Sequence, residues 1–221
     1  MSDWRIRMAG DAAVTVEFEP RLDPVINARV VALVARLREA RHAGVRDVVA
    51  SYSAVTVYVD PIRTDLDRLC AALDAAVAAP TPAASPSPEI VVPVHYGGAA
   101  GPDLEEVAAF AGCSADEVVH RHTAPGYRVY MVGFLPGFPY LGTVDPRIAM
   151  PRRSNPRLTV PSGSVGIAGA QTGIYPTTAP GGWNLIGLAA VELFDGVREP
   201  PCLFHPGDRV RFAAVSSESG P

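Results

Sequence analysis

The chain contains no lysine; all nineteen of its basic residues are arginine. This excludes, within the chain, a Walker-type phosphate loop, whose lysine reaches the terminal phosphates. It also excludes a Schiff-base lysine and a biotinylated one. Anion chemistry must therefore fall to arginine, backbone N–H groups, a metal or a partner chain. Cysteine is scarce as well. Cys70, Cys113 and Cys202 are widely spaced and odd in number, which fits neither a disulfide framework nor a zinc pattern, and they read as buried free thiols. No apolar run reaches the roughly 18 residues of a membrane span. The opening Met1-Ser2-Asp3-Trp4 shows no apolar signal region, so a cytoplasmic protein is expected. There is no basic run, and a net charge of −4 argues against nucleic acid.

What is present is apolar. Of 221 residues, 48% are hydrophobic and 19% charged, enough to build a core in one domain or two small ones. Residues 80–89, Pro/Ser/Ala-rich, read as a linker between an N-terminal domain over 1–79 and a C-terminal domain over 90–214, with a disordered tail over 215–221. There is no internal repeat.

Before the linker, Arg5–Met8 and Ala13–Phe18 are strand-like. Asp23 is a candidate N-cap with Pro24 at the first helical position. Ile26, Val30, Leu33, Val34 and Leu37 then recur at helical spacing, and Gly44 is expected to close the helix. Val45–Ala50 and Val55–Val59 read as a hairpin, and Leu66, Leu69, Leu73 and Val77 as a second helix. This is a small α/β sandwich with no catalytic constellation, suited to docking or scaffolding. After the linker, Ile90–Tyr96 is a strand. Two short helices follow, the second opened by the capping box Ser114-Ala115-Asp116-Glu117. Tyr127–Gly133 alternates Tyr127, Val129 and Met131 against Arg128, Tyr130 and Val132. The rest reads as short strands and tight loops, ending in a hairpin and strand at P-G-D-R-V-R-F. Such a pattern suggests a closed barrel. The fold class is thus α+β, a small N-terminal sandwich plus a C-terminal β-barrel.

Chemistry concentrates between Met131 and Gly187. Arg147, Arg152, Arg153 and Arg157 stand against the single acid Asp145, and a rigid, cationic, aromatic-lined surface suits a small anion. The loop Gly133–Gly142 reads either as one wall of a pocket, presenting Phe138 and Tyr140, or as a hydrophobic closure of the barrel end. Arg152, Arg153 and Arg157 either fork onto a carboxylate or phosphate or pair with surface acids. Ser162-Gly163-Ser164 lacks the frame of a nucleophile elbow; Ser164 is better suited to donating to an anion. Gln171, Tyr175, Trp183 and Asn184 bring amide, phenol and indole groups among glycines. Ligand contacts are favoured for Gln171 and Asn184. His120 and His122 lie two apart, on different helix faces, so no metal site is expected. His122 is either a core histidine or a general acid/base at a pocket edge.

These residues carry a family resemblance. The runs G-F-L-P-G-F-P-Y-L-G, P-R-R, V-P-S-G-S-V-G-I-A-G-A-Q-T-G-I-Y-P, P-G-G-W-N-L-I-G and P-G-D-R-V-R-F resemble the family of the 5-oxoprolinase B subunits. That family is also labelled allophanate hydrolase subunit 1 and includes a sporulation histidine-kinase inhibitor. The resemblance implies a cyclophilin-like C-terminal barrel and a hetero-oligomer with a C-type subunit and a third, A-type subunit. The implied reaction is ATP- and Mg²⁺-dependent hydrolysis of 5-oxoproline to glutamate, with the nucleotide held by the complex and no cofactor held by this chain alone. Arg152, Arg153 and Arg157 would hold the substrate carboxylate, with Phe138, Tyr140, Ser164, Trp183 and Asn184 lining the substrate. Gln171, Tyr175 and Asn184 would bond the ring amide, and His122 would move a proton. Two alternatives accompany it: a carboxyltransferase half-site related to urea carboxylase, and a non-enzymatic kinase inhibitor. The Ser–Ser–Lys amidase is excluded by the missing lysine. The sequence departs from the family at Leu188-Ala189-Ala190, where R-T-P is usual.

Overall fold

A computed structural model describes residues 3–81 and 89–215. The chain divides into two compact units, Met1–Pro86 and Ser87–Pro221. Most of the expected linker, residues 82–88, lies outside the described residues, and so does the expected tail beyond Val215; Glu89 already belongs to a strand.

The first unit runs β1 (Trp4–Met8), β2 (Ala13–Phe18), α1 (Pro24–Ala40), β3 (Val45–Ala50), β4 (Ala54–Val59) and α2 (Leu66–Ala78). The strands form an antiparallel sheet in the order β1-β2-β4-β3. Alternation places Val14, Val16, Val55 and Val57 on one face, where they pack on Val30, Leu33, Leu37, Leu69 and Leu73 of the helices. Helix α1 begins as its sequence demands. Asp23 Oδ1 accepts the N–H groups of Val25 at 2.8 Å and Ile26 at 3.1 Å, with Pro24 in the first turn. Its end differs from expectation. Arg41, at φ 45°, takes the left-handed capping conformation in place of Gly44. Gly44 is needed three residues later, in the turn into β3. Its φ is +80°, and a Cβ there would lie 2.1 Å from Thr64 Oγ1.

The second unit begins with β5 (Glu89–Tyr96), α3 (Leu104–Ala111) and α4 (Ala115–Thr123). It continues with β6 (Tyr127–Val132), β7 (Pro139–Gly142), a short 3-10 turn at Pro146–Ile148, β8 (Arg157–Val160), β9 (Ser164–Ala168) and β10 (Gln171–Ile174). It closes with β11 (Ala179–Gly181), β12 (Asn184–Ala189) and β13 (Arg209–Ala214). Seven strands close into a barrel in the order β10-β7-β6-β13-β5-β12-β9, and β8 and β11 form a separate two-stranded ribbon. The expected terminal hairpin is corrected: β13 runs parallel to β5 through six residue pairs and antiparallel to β6.

Period-2 alternation sorts the barrel wall into two faces. Val129, Leu141, Val165, Ile167, Ile174, Ile186 and Phe212 share the interior core with Leu104 and Val107 of α3 and Val118 of α4. Phe138, Val160, Tyr175, Trp183 and Leu185 form a second cluster, with Tyr140 and Ala168 packed against it. This outer cluster draws on residues one position out of phase with the interior ones: Tyr140 against Leu141, Ala168 against Ile167, Tyr175 against Ile174. The alternation expected along Tyr127–Gly133 breaks at Tyr130. There β6 slips against β7 between Val129 and Met131, so Tyr130 is buried and Val132, not Met131, packs on the interior core. The three cysteines are free, but half-buried where buried thiols were expected.

Candidate functional site

The outer cluster is built on the β7-β10-β9-β12 wall, and glycines make room for its rings. A Cβ at Gly173 would meet the Phe138 ring at 3.0 Å, and one at Gly181 would meet the Tyr175 hydroxyl at 2.2 Å. Phe138 is the hub. Its ring stands edge-on to Tyr140 at 4.8 Å, Tyr175 at 5.1 Å and Trp183 at 5.4 Å between centroids, contacts worth roughly 0.5–1.5 kcal/mol each beyond burial. The loop 133–138 holds it by hydrogen bonds from Gly133 N–H to the Phe138 carbonyl and from Phe138 N–H to the Leu135 carbonyl. The same turn sets Phe134 at φ 70°, a strained conformation for an aromatic residue, and leaves it 60% exposed.

The three arginines of the 152–157 segment come to this wall in different states. Arg153 Nη1 donates to Asp103 Oδ1 at 3.1 Å and to Glu106 Oε2 at 3.1 Å; Arg157 Nη2 donates to the same Asp103 oxygen at 2.6 Å. Arg153 and Arg157 therefore form a framework around an acid. Asp103 is buried, and its second oxygen accepts the Leu185 N–H at 2.6 Å. Arg152 is exposed and pairs with no acid among the described residues. It lies against Gly182, where an added Cβ would sit 2.9 Å from Arg152 Nε. Burial raises the Tyr140 and Tyr175 phenols above their ordinary value, and the positive charge of Arg152 opposes that rise in both. One guanidinium without an acid partner among the described residues thus lies against Gly182, its charge felt by the Tyr140 and Tyr175 phenols.

The remaining sequence candidates separate by face. Tyr175 and Ser164 are buried on the outer side, where the Ser164 carbonyl accepts the Tyr175 N–H at 2.9 Å. Gln171 opens β10 on the same side by alternation. Asn184 is fully buried, and its Nδ2 donates to the carbonyls of Pro151 at 2.9 Å and Ile167 at 3.2 Å. That side chain ties the arginine segment to the barrel wall, and its Oδ1 is buried without a partner among the described residues.

His122 lies on the other side of the wall, fully buried inside the barrel. It sits among Tyr96, Tyr127 and Phe212, with the Phe212 ring 4.5 Å away. Thr172 spends its hydroxyl proton on the Gly166 carbonyl at 2.9 Å, so its oxygen must accept from His122 Nε2 at 2.9 Å. Nδ1 is then the acceptor for the Tyr96 hydroxyl at 2.7 Å. Burial pushes the imidazole down to about 3. The pocket-edge position considered for His122 is therefore replaced by an interior one, with a neutral ring whose nitrogens are both engaged. Among the described residues no group of three His, Cys, Asp or Glu side chains is placed to hold a metal ion.

Sequence reasoning missed Asp103, Tyr96 and Thr172. Asp103 follows Gly101-Pro102 at a helix start, where an aspartate ordinarily reads as a cap; nothing local reveals that its carboxylate faces arginines some 50 positions away.

Residues 4–204 match the family model described as carboxyltransferase domain, subdomain C and D. A Bacillus subtilis protein, named as the B subunit of 5-oxoprolinase, is 38% identical over 97% of this chain and 94% of its own length. The crystal structure of TTHA0988 superposes with a TM-score of 0.84 at 38% identity, covering 98% of this chain but 42% of the other. The chain thus spans about two fifths of that relative's length. The Kluyveromyces lactis urea carboxylase superposes with a TM-score of 0.79 at 20% identity over 97% of this chain and 22% of its own, a likeness of fold alone.

Proposed function

This chain belongs to the family of the carboxyltransferase domain, subdomain C and D, alongside proteins named as B subunits of 5-oxoprolinase, and from that premise we propose that it is the B-type subunit of an ATP-dependent 5-oxoprolinase. In that role it works with A-type and C-type subunits to open the lactam of 5-oxoproline to glutamate. The observation that carries the reading is Arg152, a guanidinium with no acid partner among the described residues, lying against Gly182 with its charge felt by the Tyr140 and Tyr175 phenols. The ligand it suits is small, flat and anionic.

A lactam is a poor electrophile because its nitrogen donates into the carbonyl. Phosphorylation of the lactam oxygen at the expense of ATP removes that donation and lets water add to the carbon. Such a step needs positioning and charge stabilisation more than covalent help from protein. The residues of this chain do not fit the nucleotide and its Mg²⁺. They include no lysine to reach the terminal phosphates, and Arg153 and Arg157 are already paired with Asp103. The nucleotide accordingly belongs to the partner proteins in this reading, and this chain presents the lactam. Arg152 takes the carboxylate, Phe138, Tyr140 and Trp183 wall the ring from water, and the Tyr175 hydroxyl or Gln171 amide bonds the ring amide. Both phenols stay protonated at neutral pH because burial raises them, so they donate hydrogen bonds and do not act as bases.

The test is reconstitution with the A-type and C-type partners, followed by 5-oxoproline-dependent ADP and glutamate release. Arg152→Ala is expected to raise KM for 5-oxoproline about tenfold or more, the scale of one lost charge-assisted contact, with kcat changed much less. Absence of lactam-dependent turnover in every combination of the three proteins would sink the reading. The family model's own description favours a second one, a carboxyltransferase half-site for a urea-like amide. It predicts biotin-dependent carboxylation and no glutamate release.

A further inference from the structure

We propose that Asp103 determines the charge class of the anion this surface accepts, restricting it to singly charged ligands. The inference rests on the site reading above and goes further, because it names a residue and a selection rule. Three guanidinium groups, Arg152, Arg153 and Arg157, crowd one segment. Asp103 places one carboxylate oxygen against two of them, and Glu106 takes a second bond from Arg153. Three positive charges thus face two negative ones, and a single unit of positive charge remains, carried by Arg152. A monocarboxylate balances it. A dianion carries its second charge next to Asp103 and Glu106 with no cation left to meet it.

Three observations mark Asp103 as placed for this task. It occupies the N-cap of α3, yet its side chain accepts no hydrogen bond from that helix. Its carboxylate points at β12 and the arginine segment instead, so the helix forgoes a cap ordinarily worth stability. Its attachment is two-pointed. Asp103 N–H donates to the Leu185 carbonyl at 2.8 Å while Oδ2 accepts the Leu185 N–H, fixing the charge to β12 at the residue that follows Trp183-Asn184 in sequence. Finally, the arginines are only partly satisfied by it. Among the described residues, Arg153 Nε and Arg157 Nη1 are buried without partners, so Asp103 fixes the charge balance of the pair while leaving donors unfilled.

The test compares anions of different charge on the whole chain. In a Trp4→Phe background, Trp183 is the sole tryptophan and reports on the site by fluorescence. Acetate and 5-oxoproline serve as monoanions and sulfate as a permanent dianion. The expected result is that the natural sequence favours the monoanions. Asp103→Asn keeps the shape, and it is expected to shift the sulfate-to-acetate affinity ratio toward sulfate by on the order of tenfold, because the dianion feels the removed charge twice. Glu106→Gln, at an exposed position, shifts the ratio in the same direction by less. An unchanged ratio in Glu106→Gln and in any folded Asp103→Asn protein overturns the proposal, as does sulfate binding more tightly than acetate to the natural sequence, or no response of Trp183 to any anion. If acetate binds and the ratio shifts while 5-oxoproline neither binds nor turns over, the charge rule stands and the substrate reading fails.

Discussion

At the residue scale, His122 has a measurable signature. Burial holds its folded-state value at about 3 against an ordinary 6.5. Below 6.5 the unfolded chain takes up a proton that the folded barrel refuses, so stability rises with pH in this range. The contribution is fully present above pH 6.5 and is lost as pH falls toward 3, at about 1.4 kcal/mol per unit for this one group. Urea midpoints of the natural protein should therefore fall between pH 6.5 and 4 more steeply than those of His122→Phe; parallel curves would show that the ring titrates normally. Thr172 gives a second test. Thr172→Val is nearly isosteric but leaves the Nε2–H without its acceptor inside the barrel, and a cost of about 1–3 kcal/mol is expected. Thr172→Ser, which keeps the oxygen, should recover most of it in the same denaturation assay. What the sequence can say about His122 stops at the residue's own helix. Val118 on the same face marks the side chain as core-facing, but its acceptor lies 50 positions on in β10, and no local pattern joins the two.

At the element scale, legibility follows how local the determining interaction is. Helix α1 is readable at its start because Asp23, Pro24 and the first turn are contiguous. Its end is not, because left-handed Arg41 is outranked in sequence by a better-looking glycine three residues on. Strand β6 is readable until its bulge at Tyr130, which depends on pairing with β7. The parallel partnership of β13 with β5 carries no local trace at all. For the site, the arginines, aromatic rings and amides are visible as a cluster in sequence, and most do gather on one face. The alternation that sends Thr172 and Ile174 inward and Tyr175 outward separates His122 from them, but the inward direction is fixed only by the pairing of β10 with β7 and β9. That alternation makes a paired prediction on adjacent positions. Ile174→Ala removes fully buried interior volume and should cost about 2–5 kcal/mol in chemical denaturation. Tyr175→Phe keeps the ring packed on Phe138 and should change stability by about 1 kcal/mol or less, while raising KM for 5-oxoproline in the reconstituted complex. Equal destabilisation by the two would contradict the two-faced wall.

At the scale of the whole molecule, the two units have separate cores: one of residues between Val14 and Val77, the other of residues between Val92 and Phe212. The first unit's sheet is open, whereas the second unit's closes into a barrel, and that closure depends on β13. The family match ends at residue 204, yet β13, Arg209–Ala214, lies between β5 and β6 and joins them in the barrel order. It contributes Val210 and Phe212 to the interior, both essentially inaccessible, with the Phe212 ring tilted against His122 at 4.5 Å between centroids. Without it, β5 and β6 would present open edges and the His122 chamber would lose a wall. A chain stopped after Phe204 should therefore lose the cooperative unfolding of the barrel and the buried emission of Trp183. The first unit, whose core takes nothing from the barrel, should keep its sheet and helices and melt as before. Amide hydrogen exchange resolves the two outcomes directly. Protection is expected to persist in β2 and β4 and vanish from β9, β10 and β12. Protection retained in those three strands would mean that the barrel closes without its terminal strand.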